Sequence, residues 1–318
     1  MAKRIVKLME SQTVLSVSEA MENFLKFKVA QGISELTLRD YQNTFEKFKN
    51  YSSGTMEFEL LKSEILKFLT DRANGSPAKY NRPYSNMTAF LSWAVRQKII
   101  DKNPIIELEL KKRRDDGRIR CVDVDKIKKL LSVTDLSTYT GLRDYTMICL
   151  MLDSGIRPCE MCRLTTSDID FSAGVIVISK YNSKTRTQRI LPLSKTVLDL
   201  IEKLIKIKPK EWNNDSIFCS YDGNEVTTII FDKRFQVYSK KCGYKITPYD
   251  LRHTFGTMYV QENGGNVFSL QKIMGHSNLN MTKRYMSVTS EQLKTQHAKA
   301  TPLNNVLQRN TRVNKVVK

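Results

Sequence analysis

The run LysLysArgArgAspAspGlyArgIleArg, from Lys111 to Arg120, most constrains the fold of this chain. Charge plus a glycine breaks the apolar periodicity on both sides, so no helix or strand of a packed core continues through it. A chain of 318 residues is long enough to bury two separate cores. The expected division is a helical domain over 11–110, a basic linker over 111–120, a larger domain over 121–300 and a basic tail over 301–318. The tail carries Arg309, Arg312, Lys315 and Lys318 without an acidic residue.

Before the linker, Ser16 to Leu110 reads as helix throughout. Ser18 is expected to cap a first helix with Met21, Phe24, Leu25 and Val29 on one face. Leu36, Leu38, Tyr41, Phe45 and Phe48 mark a second. A third spans Ser63 to Ala73, and a fourth runs from Pro83 to Val95 and stops at Asn103–Pro104. Lys26, Lys28, Lys79 and Arg82 are left on the outside of this four-helix domain. After the linker, helical pattern runs from Asp123 to Leu164. The β-branched stretches Gly174–Lys180 and Arg189 onward flank an Asn-Ser turn and read as a hairpin. Helices return at Ser194–Ile207 and Ile229–Lys241. The fold class is therefore mostly α with a small antiparallel β-sheet.

Composition narrows the partner. Lys and Arg number 52 against 33 Asp and Glu, a formal charge of +19. Acidic residues serve solubility better, so such an excess points to a polyanion, and each phosphate neutralised adds sequence-independent affinity. A membrane surface would require an amphipathic basic helix or a lipid anchor, and neither is visible. The apolar stretch Met147–Leu152 is too short to span a bilayer, and the N-terminal basic residues precede no sustained apolar run. Six dispersed cysteines fit reduced thiols in a cytoplasm. Cys159 and Cys162 form a C-x-x-C, but a zinc site needs two further ligands at compatible spacing. Buried or half-buried thiols are expected there, and no metal.

Chemistry concentrates near the C-terminus. ThrProTyrAspLeuArgHisThrPheGlyThr occupies Thr247–Thr257, MetGlyHisSerAsn begins at Met274, and Tyr285 follows His276 by nine positions. Upstream, GlyIleArgProCysGlu contributes Arg157 and Glu160. Two guanidinium groups bind the non-bridging oxygens of a phosphodiester through planar forks that remain charged. An imidazole and a phenol supply proton transfer and a nucleophile. No carboxylate cluster or glycine-rich phosphate loop competes with this assignment.

These residues, in this order, resemble the tyrosine recombinases of the phage-integrase and Xer type. The likeness covers most of the chain, from the helical first domain through the hairpin to Tyr285. It implies a helical core-binding domain and an α+β catalytic domain. Arg157 and Arg252 match the family arginines that hold phosphate, and Lys180 the lysine that protonates the leaving 5′ oxygen. His276 matches the histidine that bonds phosphate or exchanges the tyrosine proton, and Tyr285 the nucleophile. Glu160 falls where the family places an acidic supporting residue. The family most often has histidine at the position of Tyr249. A neutral phenol donates a hydrogen bond but accepts a proton poorly, which shifts proton transfer toward His276 and Lys180. His253, four residues after Tyr249, either compensates for the missing histidine or braces its helix, and bracing is the expectation.

The resemblance further implies double-stranded DNA with paired half-sites as substrate, with neither ATP nor metal required. It implies a homotetramer on two duplexes whose C-terminal segment, Ser287–Leu307, packs on a neighbour. Lys111, Lys112, Arg113, Arg114, Lys184 and Arg186 are candidate DNA contacts. The expected setting is the nucleoid of a bacterial or archaeal cell, in integration, transposition or replicon resolution. A type IB topoisomerase, which reseals the same strand, and a non-catalytic DNA-binding protein of this fold stand as alternatives.

Overall fold

In the computed structural model the described residues are 15–114, 121–182, 187–261, 265–283 and 285. The chain divides into two compact units, 1–117 and 118–318. The architecture is mostly helical with one three-stranded antiparallel sheet, as the sequence patterns indicate. No described helix is long and apolar enough to cross a membrane.

The first unit contains α1 (Val17–Ala30), α2 (Glu35–Lys49), α3 (Phe58–Thr70), α4 (Pro77–Arg96) and a single turn, α5 (Pro104–Glu107). Ser16, not Ser18, caps α1. Its side chain receives the Glu19 amide at 3.2 Å while Glu19 receives the Ser16 amide at 2.9 Å. The Ser-x-x-Glu spacing satisfies two orphan donors at once, which a cap at Ser18 could not. The fourth helix begins six residues before Pro83, because Ser76 caps it and Pro77 takes the first helical position. It ends at Arg96, and Asn103–Pro104 opens α5 rather than closing α4.

An aromatic core holds this unit together. Phe24 meets Tyr41, Phe45, Phe90 and Trp93 edge-on, at centroid distances of 5.2 to 5.9 Å. Such geometry aligns ring edges with ring faces and adds to the burial energy. The chain stays tied to this unit as far as Arg113. Asn81 exchanges two hydrogen bonds with its backbone at 2.8 and 2.9 Å, and its guanidinium meets the Ala73 carbonyl and lies 4.9 Å from the Tyr80 ring centre. Lys111, Lys112 and Arg114 are exposed.

The second unit contains α6 (Val124–Ser132), α7 (Tyr139–Ser154), the short α8 (Pro158–Met161), the sheet, then α9 (Lys195–Ile207), α10 (Thr228–Cys242), α11 (Pro248–Gln261), α12 (Val267–Met274) and α13 (Leu279–Lys283). In the sheet, β1 (Ile169–Asp170), β2 (Val175–Ile178) and β3 (Arg189–Pro192) pair in that order. The hairpin register sets Ile176 opposite Leu191 and Ile178 opposite Arg189. Period-two alternation turns Ile176, Ile178, Arg189 and Leu191 inward and leaves Ile190 outside. The two-residue β1 carried too little pattern to be found in the sequence.

Helix α11 packs on α7 and α12, and this arrangement positions the site. The chain enters the second unit by hooking onto α11. The Val122 amide donates to Thr254 Oγ1 at 2.8 Å, and the same hydroxyl donates to the Asp250 carbonyl at 2.8 Å.

Candidate active site

Helix α7 ends at Gly155, whose φ of 61° gives a left-handed cap. Two residues later Arg157 begins α8. Its amide donates to Glu160 Oε2 at 3.2 Å and its Nη1 to Oε1 at 3.1 Å. The spacing of three residues thus brings both partners to one helical turn. From β3, Arg189 donates to both oxygens of the same carboxylate, at 3.0 and 2.5 Å, and its Nε to the Ile273 carbonyl at 2.9 Å. Glu160 is fully buried. Burial would raise its pKa, but Arg189 and Arg157 outweigh that and hold it below the ordinary carboxylate value.

Arg189 is a site residue that the sequence reading missed. The signal was present, since alternation along ArgIleLeuPro places Arg189 on the same inward face as Leu191. A guanidinium on a buried strand face demands an anionic partner.

Arg252 is buried on α11. It donates to the Gly155 carbonyl and, at 2.7 Å, to the Met274 carbonyl. Arg157 Nη2 donates to the Gly275 carbonyl at 2.8 Å. The two guanidiniums therefore fasten on the C-terminal ends of α7 and α12, where carbonyls lack intrahelical partners and the helix dipole is negative. Gly275 makes this approach possible. Its φ is 62°, and an added Cβ would lie 3.0 Å from Arg189 Cδ and 3.3 Å from Arg157 Nη1. Gly275→Ala is expected to destabilise the protein by about 1–2 kcal/mol, measured by urea unfolding, from left-handed strain alone. An unchanged midpoint would refute this account of the glycine.

The cluster is rich in positive charge. Burial first, then the Arg157 charge, pulls the Arg252 guanidinium down to about 9, so it remains cationic at neutral pH. Burial, Arg252 and Arg157 push His276 down to about 4, leaving a neutral imidazole. His276 Nε2 lies 3.4 Å from Arg252 Nη2, and Nδ1 lies 2.9 Å from Thr282 Oγ1. Beside His276 and Gly275 opens a cleft of about 770 Å³, also lined by Thr187, Gln188, Arg189 and Lys272.

Tyr285 is only 3 % exposed. Its ring stacks on His276, with centroids 6.2 Å apart and planes 7° from parallel, and it packs against Leu270 and Met274. Gly256 accommodates it, because a Cβ there would stand 2.9 Å from the ring. The hydroxyl lies 2.8 Å from His253 Nδ1. His253 therefore faces the phenol, a contact across 32 positions that no local pattern encodes.

Tyr249 is 54 % exposed, in the first turn of α11, whereas Arg252 one turn later is buried. Loss of solvent raises its phenol, against the pull of the Arg252 and Arg157 charges, so it stays protonated at neutral pH. Lys180 is exposed just after β2, its ammonium 5.1 Å from the Tyr181 ring centre. Among the described residues, no hydrogen bond joins it to the arginine cluster. Lys184, Arg186 and the Ser287–Leu307 segment lie outside the described residues. Cys162 is buried and its thiol is pushed up to about 12, and no group of metal-ligating side chains occurs among the described residues.

Comparison with known proteins adds to this geometry. The phage integrase family profile matches residues 120–292. Tyrosine recombinase XerD of Listeria monocytogenes is 30 % identical over 292 residues, covering 87 % of this chain and 97 % of that protein. Tyrosine recombinase XerC of Myxococcus xanthus is 27 % identical over 301 residues, covering 90 % and 99 %. Among solved structures, the Tn1549 transposon integrase in complex with a circular intermediate DNA superposes with a TM-score of 0.75 at 20 % identity, covering 90 % of this chain and 99 % of that one. The lambda integrase tetramer bound to a Holliday junction gives 0.72 at 17 % identity, covering 87 % and 82 %.

Proposed function

Because the chain belongs to the phage integrase family of tyrosine recombinases, we propose that it exchanges DNA strands at specific sites through a 3′-phosphotyrosyl link at Tyr285. The observation that carries this reading is the charge imbalance around Arg157 and Arg252. The Arg157 charge disfavours that of Arg252, and both disfavour a proton on His276. A phosphodiester placed against them relieves that repulsion, and the effect grows as phosphorus gains negative charge in the transition state. Tyr249, a protonated phenol beside the pair, adds a neutral donor.

Tyr285 attacks phosphorus, the P–O5′ bond breaks, and the 5′ oxygen leaves with a proton from Lys180. Lys180, exposed just after β2, is the group assigned to that proton. The bond energy stays in the phosphotyrosine until a 5′-hydroxyl of the partner duplex displaces it, so neither ATP nor metal is consumed. The substrate is double-stranded DNA with paired half-sites, held by a homotetramer on two duplexes. Domain 11–110 grips core DNA, and Lys111, Lys112, Arg113 and Arg114 of the 111–120 linker, with Lys184 and Arg186, meet its backbone. Ser287–Leu307 packs on a neighbouring copy. The apolar groove of about 570 Å³ formed by Ile127, Leu152, Phe255, Met258 and Ile273 supports this as a receiving surface. The reaction serves a mobile element, a phage or replicon resolution.

A nicked suicide duplex, selected from random sequence for tight binding, tests the reading in the presence of a chelator. The expected result is a protein–DNA adduct that survives denaturant. Its absence from every selected duplex refutes the enzymatic reading. Relaxation of supercoils without exchange between duplexes would turn it toward a topoisomerase.

A further inference from the structure

Resting on that reading, we propose that His253 is the base that receives the Tyr285 proton during strand cleavage. Among the described residues, His253 stands against the reacting atom, with Nδ1 2.8 Å from the phenol oxygen. That distance lies within direct proton-transfer reach. With its own proton on Nε2, the ring presents a lone pair at Nδ1.

The other two candidates are otherwise engaged. The His276 ring runs parallel to that of Tyr285, with centroids 6.2 Å apart. Its Nδ1 pairs with the buried Thr282 hydroxyl and its Nε2 faces Arg252. Tyr249 is a phenol, no more basic than the group it would have to deprotonate. Where a histidine is expected three residues before Arg252, this chain has lost its acceptor, and the imidazole four residues further along α11 stands at the nucleophile instead. Tyr285 and His276 face His253 from the C-terminal side, and Arg252 adjoins it on its own helix.

The step balances. The Tyr285 O–H bond breaks and its proton goes to His253 Nδ1. The phenolate pair forms the O–P bond, and the P–O5′ pair leaves and takes the Lys180 proton. Religation returns both protons.

Cleavage is compared on two suicide duplexes, one natural and one with sulfur replacing the bridging 5′ oxygen. The thiolate leaves without a general acid, so the sulfur substrate isolates nucleophile activation. At pH 7, His253→Gln is expected to cut both substrates about 100-fold more slowly, the lower range for a positioned base. Lys180→Ala is expected to fail on oxygen alone. On sulfur, His253→Gln regains most of the wild-type rate as pH approaches 10, where solvent ionises a free phenol. Wild type instead levels off between pH 7 and 9. The proposal is overturned if His253→Gln cuts at the wild-type rate, or if its deficit persists at pH 10. It is equally overturned if the wild-type rate on sulfur climbs without a plateau to pH 10, a result independent of how the variant folds. No adduct from wild type on either duplex refutes the recombinase reading itself.

Discussion

Tyr285→Phe is expected to remove covalent capture of DNA altogether, a loss of about 10⁴-fold or more, as deletion of a covalent nucleophile typically gives. The fold should tolerate it. The phenyl ring keeps its stack on His276, its contacts with Leu270 and Met274, and the space left by Gly256. The hydrogen bond to His253, worth about 1 kcal/mol, is lost with the hydroxyl. DNA affinity should stay within a few-fold, because Arg157 and Arg252, proposed above to hold phosphate, are untouched. Denaturing gels of the suicide reaction read the adduct, and fluorescence anisotropy reads the affinity. Residual adduct would move the nucleophile to another of the chain's 13 tyrosines.

Glu160→Ala carries the largest structural effect. It leaves two guanidiniums, those of Arg157 and Arg189, buried without a counter-charge. Removing one member of a buried ionic cluster typically costs about 3–5 kcal/mol. Urea unfolding should show that loss, and sulfate should stabilise the variant more than wild type by returning an anion to the arginines. A loss under about 1 kcal/mol, or equal sulfate effects, would contradict the role given to Glu160. The sign with pH follows from the lowered carboxyl. Its contribution is complete above the ordinary Glu pKa and fades as pH falls through the lower native value, with the unfolded state taking up protons first. The variant should therefore show a flatter acid limb than wild type.

Much of this architecture was legible because it is local. Helical periodicity located the long helices, and β-branched runs located the hairpin. Boundaries went wrong where capping chemistry overrode periodicity. Ser16 with Glu19 beats Ser18, and Ser76–Pro77 starts a helix that apolar pattern alone begins at Pro83. The site was legible as a set of residue types, not as a set of contacts. Arg189 meets Glu160 across 29 positions, and His253 meets Tyr285 across 32. Neither distance is encoded by a local rule. Each depends on how β3 and the C-terminal segment return to α8 and α11.

The hook between Val122 and Thr254 fixes the first described residues of the second unit to α11, one position from His253 and two from Arg252. A single hydroxyl, through its further bond to the Asp250 carbonyl, thus serves both the entry of the chain into this unit and the helix that carries the candidate site.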